Sequence, residues 1–246
     1  DVANYVLGPD TTEAELEDVM KGFNSLLAKG KQVAFVIRKG ALEFDGKVDY
    51  SNGFTLNREM VVGKIAQAAG EDPIVSTTGK ISRELFEYRT AAGMSHKYDF
   101  LTVGSMGHCS SIALGVALNR PELKVWCIDG DGAALMHMGA MAVIGDNKPF
   151  NMIHIVINNE AHETVGGMPT VSGSADLPKI ALSCGYPKAV SVSDEESLDK
   201  ALADAKDSNE LMFIEIKCQV GARPDLGRPT TTAIENKNNF MEYIND

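Results

Sequence analysis

From Asn57 onward, short apolar runs alternate with stretches whose apolar residues recur at three- and four-residue spacing. The runs predict strands over 74–77, 99–103, 124–129, 152–157, 188–192 and 211–217. The periodic stretches predict helices over 58–69, 80–89, 108–119, 133–145, 176–185 and 195–207, the first of them capped by Asn57. Strands and helices that alternate with short joints form a parallel sheet covered by helices on both faces, so the fold class is α/β.

The first forty residues carry a different pattern. The segment "TTEAELEDVMKGFNSLLAKGK" has helical spacing, with Thr12 and Glu15 placed for a capping box, and "QVAFVIRKG" reads as a buried strand. The stretch "ALEFDGKVDYSNGFTLN" is then polar, contains glycine and has no period. These features divide the chain into residues 1–45, a linker over 46–57 and a main domain over 58–246.

In open parallel sheets, ligands bind beyond the carboxyl ends of the strands. Four loops leave strands there: "TTGK" from Thr77, "GSMGH" from Gly104, "GDGA" from Gly130 and "NNEAHETVGGMPT" from Asn158. The glycine turn in "VWCIDGDGAAL" opens a helix whose free N–H groups favour an anion. Asp131 contradicts a bare phosphate site, since two like unit charges about 4 Å apart repel by roughly 4 kcal/mol at an effective dielectric of about 20. A dinucleotide fingerprint fails because Leu135 stands where the third glycine belongs, and a P-loop fails because no Lys-Ser or Lys-Thr follows the turn. A divalent cation resolves the conflict: magnesium takes one or two protein oxygens, waters and substrate phosphates, and "INN" at the end of the next strand offers amide oxygens at the same sheet edge.

Composition narrows the classes further. A chain of 246 residues with 44% hydrophobic content can bury a large core, and a formal charge of -11 argues against a nucleic-acid or anionic-membrane partner. Cys109, Cys127, Cys184 and Cys218 are widely separated with no C-x-x-C pair, so neither zinc nor a disulfide framework is indicated. No signal peptide and no run of membrane length is evident, and the cytoplasm is the expected compartment.

The spacing G-D-G, some 25 residues, N-N resembles the signature of thiamine diphosphate enzymes. The resemblance implies a thiamine diphosphate-binding fold, with Mg2+ held by Asp131, Asn159 and the carbonyl of Ala161. It implies cofactor contacts from Thr78, Gly79, Lys80, Gly104, Ser105, Met106, Gly130, Asp131, Gly132, Ala133 and Asn159. In the family's decarboxylases an apolar residue at the Met106 position wedges the cofactor into its bent shape, while the first glycine carbonyl, here Gly104, accepts from the 4'-amino group. The finer match of "TTGKISRELFE", "GSMGHCSSIALGVAL" and "NNEAHETVGGMPT" is to the branch acting on phosphonopyruvate, with the sulfopyruvate branch near it. A 2-oxo acid bearing a phosphonate or sulfonate is the implied substrate, and Lys80, Arg83 and His108 are candidate donors to its anion.

Met106, His108 and His162 are the catalytic candidates, although a histidine at a helix start such as His108 is also a common local hydrogen-bonding group. His137 and His154, inside predicted elements beside core residues, read as structural. In the resembling enzymes a glutamate of a preceding pyrimidine-binding domain activates the cofactor. Residues 1–45 correspond to the last helix and strand of such a domain, so that glutamate is not assigned to this chain. A longer polypeptide or a companion subunit is therefore expected, in a homo-oligomer or a complex. Two further readings remain open, a thiamine diphosphate subunit of a 2-oxoacid oxidoreductase and a noncatalytic cofactor-binding domain.

Overall fold

A computed structural model of the chain describes residues 1–43, 46 and 49–246. The chain divides into two compact units, Asp1–Lys47 and Val48–Asp246. The expected boundary between 45 and 46 falls among Phe44, Asp45, Lys47 and Val48, which lie outside the described residues.

In the first unit, strand β1 (Ala3–Leu7) pairs in parallel with β2 (Val33–Ile37), and helix α1 (Glu13–Leu27) joins them. Thr12 and Glu15 form the expected capping box. Phe23 of α1 is buried and lies 4.9 Å from the ring of Phe35. Strand β1 has no counterpart among the sequence-based expectations, because "ANYVL" becomes a strand only through its pairing with β2.

The second unit runs α2 (Arg58–Ala69), β3 (Ile74–Ser76), α3 (Lys80–Ala91), β4 (Asp99–Leu101), α4 (Cys109–Asn119), β5 (Val125–Gly130), α5 (Asp131–Met136), α6 (Gly139–Asn147) and β6 (Met152–Asn158). A short antiparallel pair follows, β7 (Ala161–His162) and β8 (Met168–Pro169), then α7 (Leu177–Ser183), β9 (Lys188–Val192), α8 (Glu195–Asp207), β10 (Met212–Lys217) and α9 (Ala233–Asn245). Six strands form one parallel sheet in the order β4-β3-β5-β6-β10-β9.

Successive residues of a strand point to opposite faces, and both faces are apolar here. Trp126 and Ile128 of β5, with Ile153, Ile155 and Ile157 of β6, pack under α2, α3 and α8. Val125 and Cys127, with Met152 and Val156, pack under α4, α6, α7 and α9. Doubly buried strands of this kind read as continuous hydrophobic runs, which is how the sequence announced them.

Two corrections concern elements. The single helix expected over 133–145 breaks at His137 (φ -133°, ψ 39°) into α5 and α6. The loop before α4 fills that break: a Cβ on Gly107, whose φ is +91°, would meet the Ala133 carbonyl at 2.9 Å and the His137 Cβ at 3.1 Å. The closing helix α9, capped by Thr232 and Glu235, was not anticipated. The chain leaves β3 for β4 on one side of the sheet and then returns to place β5 on the other, so the topological switch point lies between β3 and β5.

Candidate cofactor and metal site

A cleft opens at that switch point, lined by Thr77, Thr78, Lys80 and Ile81 after β3, by Met106, and by Gly130, Asp131, Gly132 and Ala133 after β5. Ile157, Asn159, Ala161, His162, Glu163 and Thr164 line its β6 side, and Arg58 of α2 closes it. Helices α3 and α5 both start at the cleft with glycine N-caps, Gly79 and Gly130, and no side chain caps either. Their first N–H groups therefore need an acceptor that the protein does not supply through its caps. The Thr77 hydroxyl is likewise buried without a partner, and such a group is costly unless a ligand or water satisfies it.

Asp131 is 4% exposed. Burial raises its carboxyl above the ordinary range, against the hydroxyls of Thr170 and Ser172, which donate to Oδ2 at 2.5 and 2.9 Å. These hydroxyls orient the carboxylate without neutralising it, leaving a buried acid suited to a cation. Asn159 Oδ1 accepts from the Ala161 N–H at 3.1 Å. The Thr170 N–H donates to the Glu160 carbonyl at 2.8 Å, so Ala161 and Pro169 form a non-hydrogen-bonded pair and β8 does not consume the Ala161 carbonyl. One carboxylate, one amide oxygen and one carbonyl form a hard oxygen set that suits Mg2+ better than Zn2+. Three protein oxygens leave the remaining positions of an octahedral Mg2+ to waters or to a ligand such as a diphosphate.

Close packing fixes the mouth of the cleft. A Cβ on Gly132 would lie 2.9 Å from His162 Nδ1 and 3.4 Å from Met106 Cε, so the second glycine of G-D-G lets three loops converge. Gly79, at φ +101°, sits against the Thr164 methyl at the rim. Residues 49–57 reach the opposite side of the site. Asn52 Nδ2 donates to the carbonyls of Asn159 and Cys218 at 2.8 and 3.0 Å, and the Tyr50 hydroxyl donates to Glu160 Oε2 at 2.7 Å. That hydrogen bond is the main reason the Tyr50 phenol is pushed up to about 12.

A model of the thiamine pyrophosphate enzyme C-terminal TPP-binding domain matches residues 77–216. The chain belongs to the thiamine pyrophosphate enzymes. It is 34% identical over 180 residues to phosphonopyruvate decarboxylase of Streptomyces viridochromogenes, covering 73% of this chain and 44% of the relative. It is 31% identical over 192 residues to sulfopyruvate decarboxylase subunit beta of Methanococcus maripaludis, covering 77% of this chain and 98% of the relative. The crystal structure of benzoylformate decarboxylase from Polynucleobacter necessarius shares the fold, with a TM-score of 0.60 at 15% identity over 79% of this chain and 37% of the other. The chain spans less than half the length of the Streptomyces relatives it matches.

Within this chain, Thr78, Lys80, Met106, Gly130, Asp131, Gly132, Ala133, Asn159, Ala161 and His162 all line one cleft. Gly104, Ser105 and His108 are exposed and stand outside its lining. Gly104 and Ser105 take positive φ, +69° and +41°, and so set the turn that delivers Met106. His108 Nδ1 lies 3.1 Å from the Ser105 carbonyl and its ring packs on His137, a local hydrogen bond at a helix start. Arg83 also lies outside the lining. His154 is buried and bonded to the Tyr186 hydroxyl at 2.9 Å, as a structural histidine, whereas His137 is exposed at the helix break rather than set within an element.

Sequence reasoning missed Thr77, Arg58, Glu163, Thr170 and Ser172. Glu163 and Thr170 stand inside the quoted "NNEAHETVGGMPT", so proximity was their only signal. Burial alone would raise the Glu163 carboxyl, but Arg58 and Lys80 together hold it below the ordinary range. No helix among the described residues is long and apolar enough to cross a membrane.

Proposed function

We propose that this chain forms the diphosphate- and metal-holding part of a thiamine diphosphate- and Mg2+-dependent decarboxylase that converts phosphonopyruvate to phosphonoacetaldehyde and carbon dioxide. The observation that carries the reading is the meeting of Asp131, Asn159 and Ala161 in one cleft with two uncapped helix starts and an unpartnered Thr77 hydroxyl. Asp131, Asn159 and the Ala161 carbonyl would hold Mg2+. The N–H groups beginning α3 and α5, with Thr77 and Thr78, would receive the diphosphate. Bound thiamine diphosphate supplies a carbanion nucleophile and an electron sink for the departing carboxyl group.

The chain's own side chains position and desolvate. Met106 presents an unbranched apolar surface to the cleft, as a wedge requires. His162, whose Nδ1 packs beside Gly132 in the cleft, would hold or move a proton there. Lys80 presents an ammonium group at the rim for an anionic substrate or diphosphate oxygen. His108 has no part in this set. Residues 1–45 are read as the end of a pyrimidine-binding domain and 58–246 as the diphosphate-binding domain, joined by 46–57. The parallel strand–helix–strand order of the first unit supports that reading, and an oligomer or a pyrimidine-domain partner would complete the site.

Sulfopyruvate is the second reading, favoured by the match to nearly the whole length of a sulfopyruvate decarboxylase beta subunit. Both substrates present tetrahedral oxyanions to the same donors. The test is aldehyde formation by the full-length polypeptide, alone and with any companion chain, from each substrate with thiamine diphosphate and Mg2+. Turnover of phosphonopyruvate above sulfopyruvate is expected. The reverse preference would move the assignment to sulfopyruvate, and bound cofactor with no turnover of either would overturn it.

A further inference from the structure

Glu163 opens the short 3-10 turn Glu163–Val165 and its side chain is 7% exposed. Four donors converge on its carboxylate. Asn159 Nδ2 and Arg58 Nη1 donate to Oε2, the former at 2.7 Å, while Lys80 Nζ and the Gly221 N–H donate to Oε1 at 3.2 and 2.9 Å. Arg58 does not depend on Glu163 for neutralisation, because Glu84 engages it through Nε and Nη2, each at 2.8 Å. With its lone pairs spent on these donors, the Glu163 carboxylate is ill placed to serve as a metal ligand.

The contact to Asn159 has a consequence for the metal. An amide can ligate a cation only through oxygen, since its NH2 group has no free lone pair. A flip of the Asn159 amide would turn NH2 toward the cation and oppose Oδ1 to the Glu163 carboxylate. As built, the NH2 end is committed to Glu163, and Oδ1 is the end left with the Ala161 N–H and the cleft.

We infer that Glu163 is a positioning residue of the metal site, fixing the Asn159 amide with Oδ1 toward the cation while Arg58, Lys80 and Gly221 fix Glu163 itself. The inference rests on the thiamine diphosphate and Mg2+ reading above. Loss of such an outer partner typically lowers metal affinity about 10- to 100-fold.

The experiment is calorimetric titration of Mg2+ into the full-length protein at saturating thiamine diphosphate, with thermal unfolding of the cofactor-free protein as a fold control. Glu163→Gln should raise the half-saturating Mg2+ about 10- to 100-fold. The exchange Glu163→Gln with Asn159→Asp restores an amide–carboxylate pair with its polarity reversed and offers oxygen to the metal from either end. It should recover most of the loss, whereas Glu163→Asp, which keeps the charge but withdraws the carboxylate from Asn159, should not; a packing or charge-balancing role of Glu163 would not give that split. If Glu163→Gln does not fold, Glu163→Asp, which withdraws the carboxylate from Asn159, takes its place with the same expectation. A Glu163 variant within twofold of the wild type, or an exchange without recovery, overturns the positioning role. Wild-type protein that binds thiamine diphosphate independently of Mg2+ overturns the underlying reading, and the inference with it.

Discussion

The two strand ends that meet at the cleft are specified in opposite ways. Beyond β5 the chain is almost bare: Gly130 and Gly132 flank Asp131, and a Cβ on Gly132 would meet His162 and Met106. Beyond β6 the chain is dense with polar side chains. Glu163 joins Arg58, Lys80, Asn159 and Gly221, and Glu160, at a φ of +58°, is held by Tyr50. One side is shaped by the absence of atoms and the other by a network whose members arrive from distant segments. A bare turn fails by crowding, whereas a network fails by leaving charges unpaired, and the second failure costs more in a buried setting.

Denaturant unfolding of the cofactor-free protein ranks the two sides. Arg58→Ala, which strands the Glu84 carboxylate at 2% exposure and removes one of the four donors to Glu163, should destabilise most, by about 3–5 kcal/mol. Gly132→Ala should cost about 1–3 kcal/mol, because the His162 ring has to yield to the new methyl group. Tyr50→Phe, which deletes one partly buried hydrogen bond to Glu160, should cost about 0.5–1.5 kcal/mol. If Gly132→Ala exceeded Arg58→Ala, the contrast between the bare and networked sides would be reversed. A Tyr50→Phe loss as large as that of Arg58→Ala would mean that the segment at 49–57, rather than the Glu163 hub, holds the β6 loop.

The same contrast explains what could be read from the chain alone. The G-D-G turn, the GSMG loop and the N-N pair are local patterns, and the strands that carry them are continuous apolar runs. The parallel sheet was therefore legible, and so were the motifs that bring Asp131, Asn159 and Met106 to one cleft. The hub was not, because Arg58 and Lys80 are 105 and 83 residues from Glu163 in sequence, and nothing in their own surroundings marks them as partners. His108 was a candidate because its loop was expected at the cofactor edge, whereas its place at a helix start pointed to a local hydrogen bond, and its Nδ1 lies 3.1 Å from the Ser105 carbonyl. The break at His137 depends on Gly107 packing from a separate loop, so helical periodicity ran through it unnoticed. Helix α9 is a different case: Thr232 and Glu235 carry a capping-box signal as plain as that of Thr12 and Glu15, but strand–helix alternation ends at β10.

The buried, unneutralised carboxylate of Asp131 should make a cation obligatory for diphosphate binding at this cleft. The direct measurement is calorimetric titration of thiamine diphosphate into the full-length protein with Mg2+ and with chelator, for the wild type and for Asp131→Ala. The wild type should bind in Mg2+ and at least about 100-fold more weakly in chelator, equivalent to about 2.7 kcal/mol, and a normally folded Asp131→Ala protein should gain nothing from Mg2+. Equal wild-type affinity with and without chelator, or undiminished Mg2+-dependent binding by Asp131→Ala, would contradict the cation requirement.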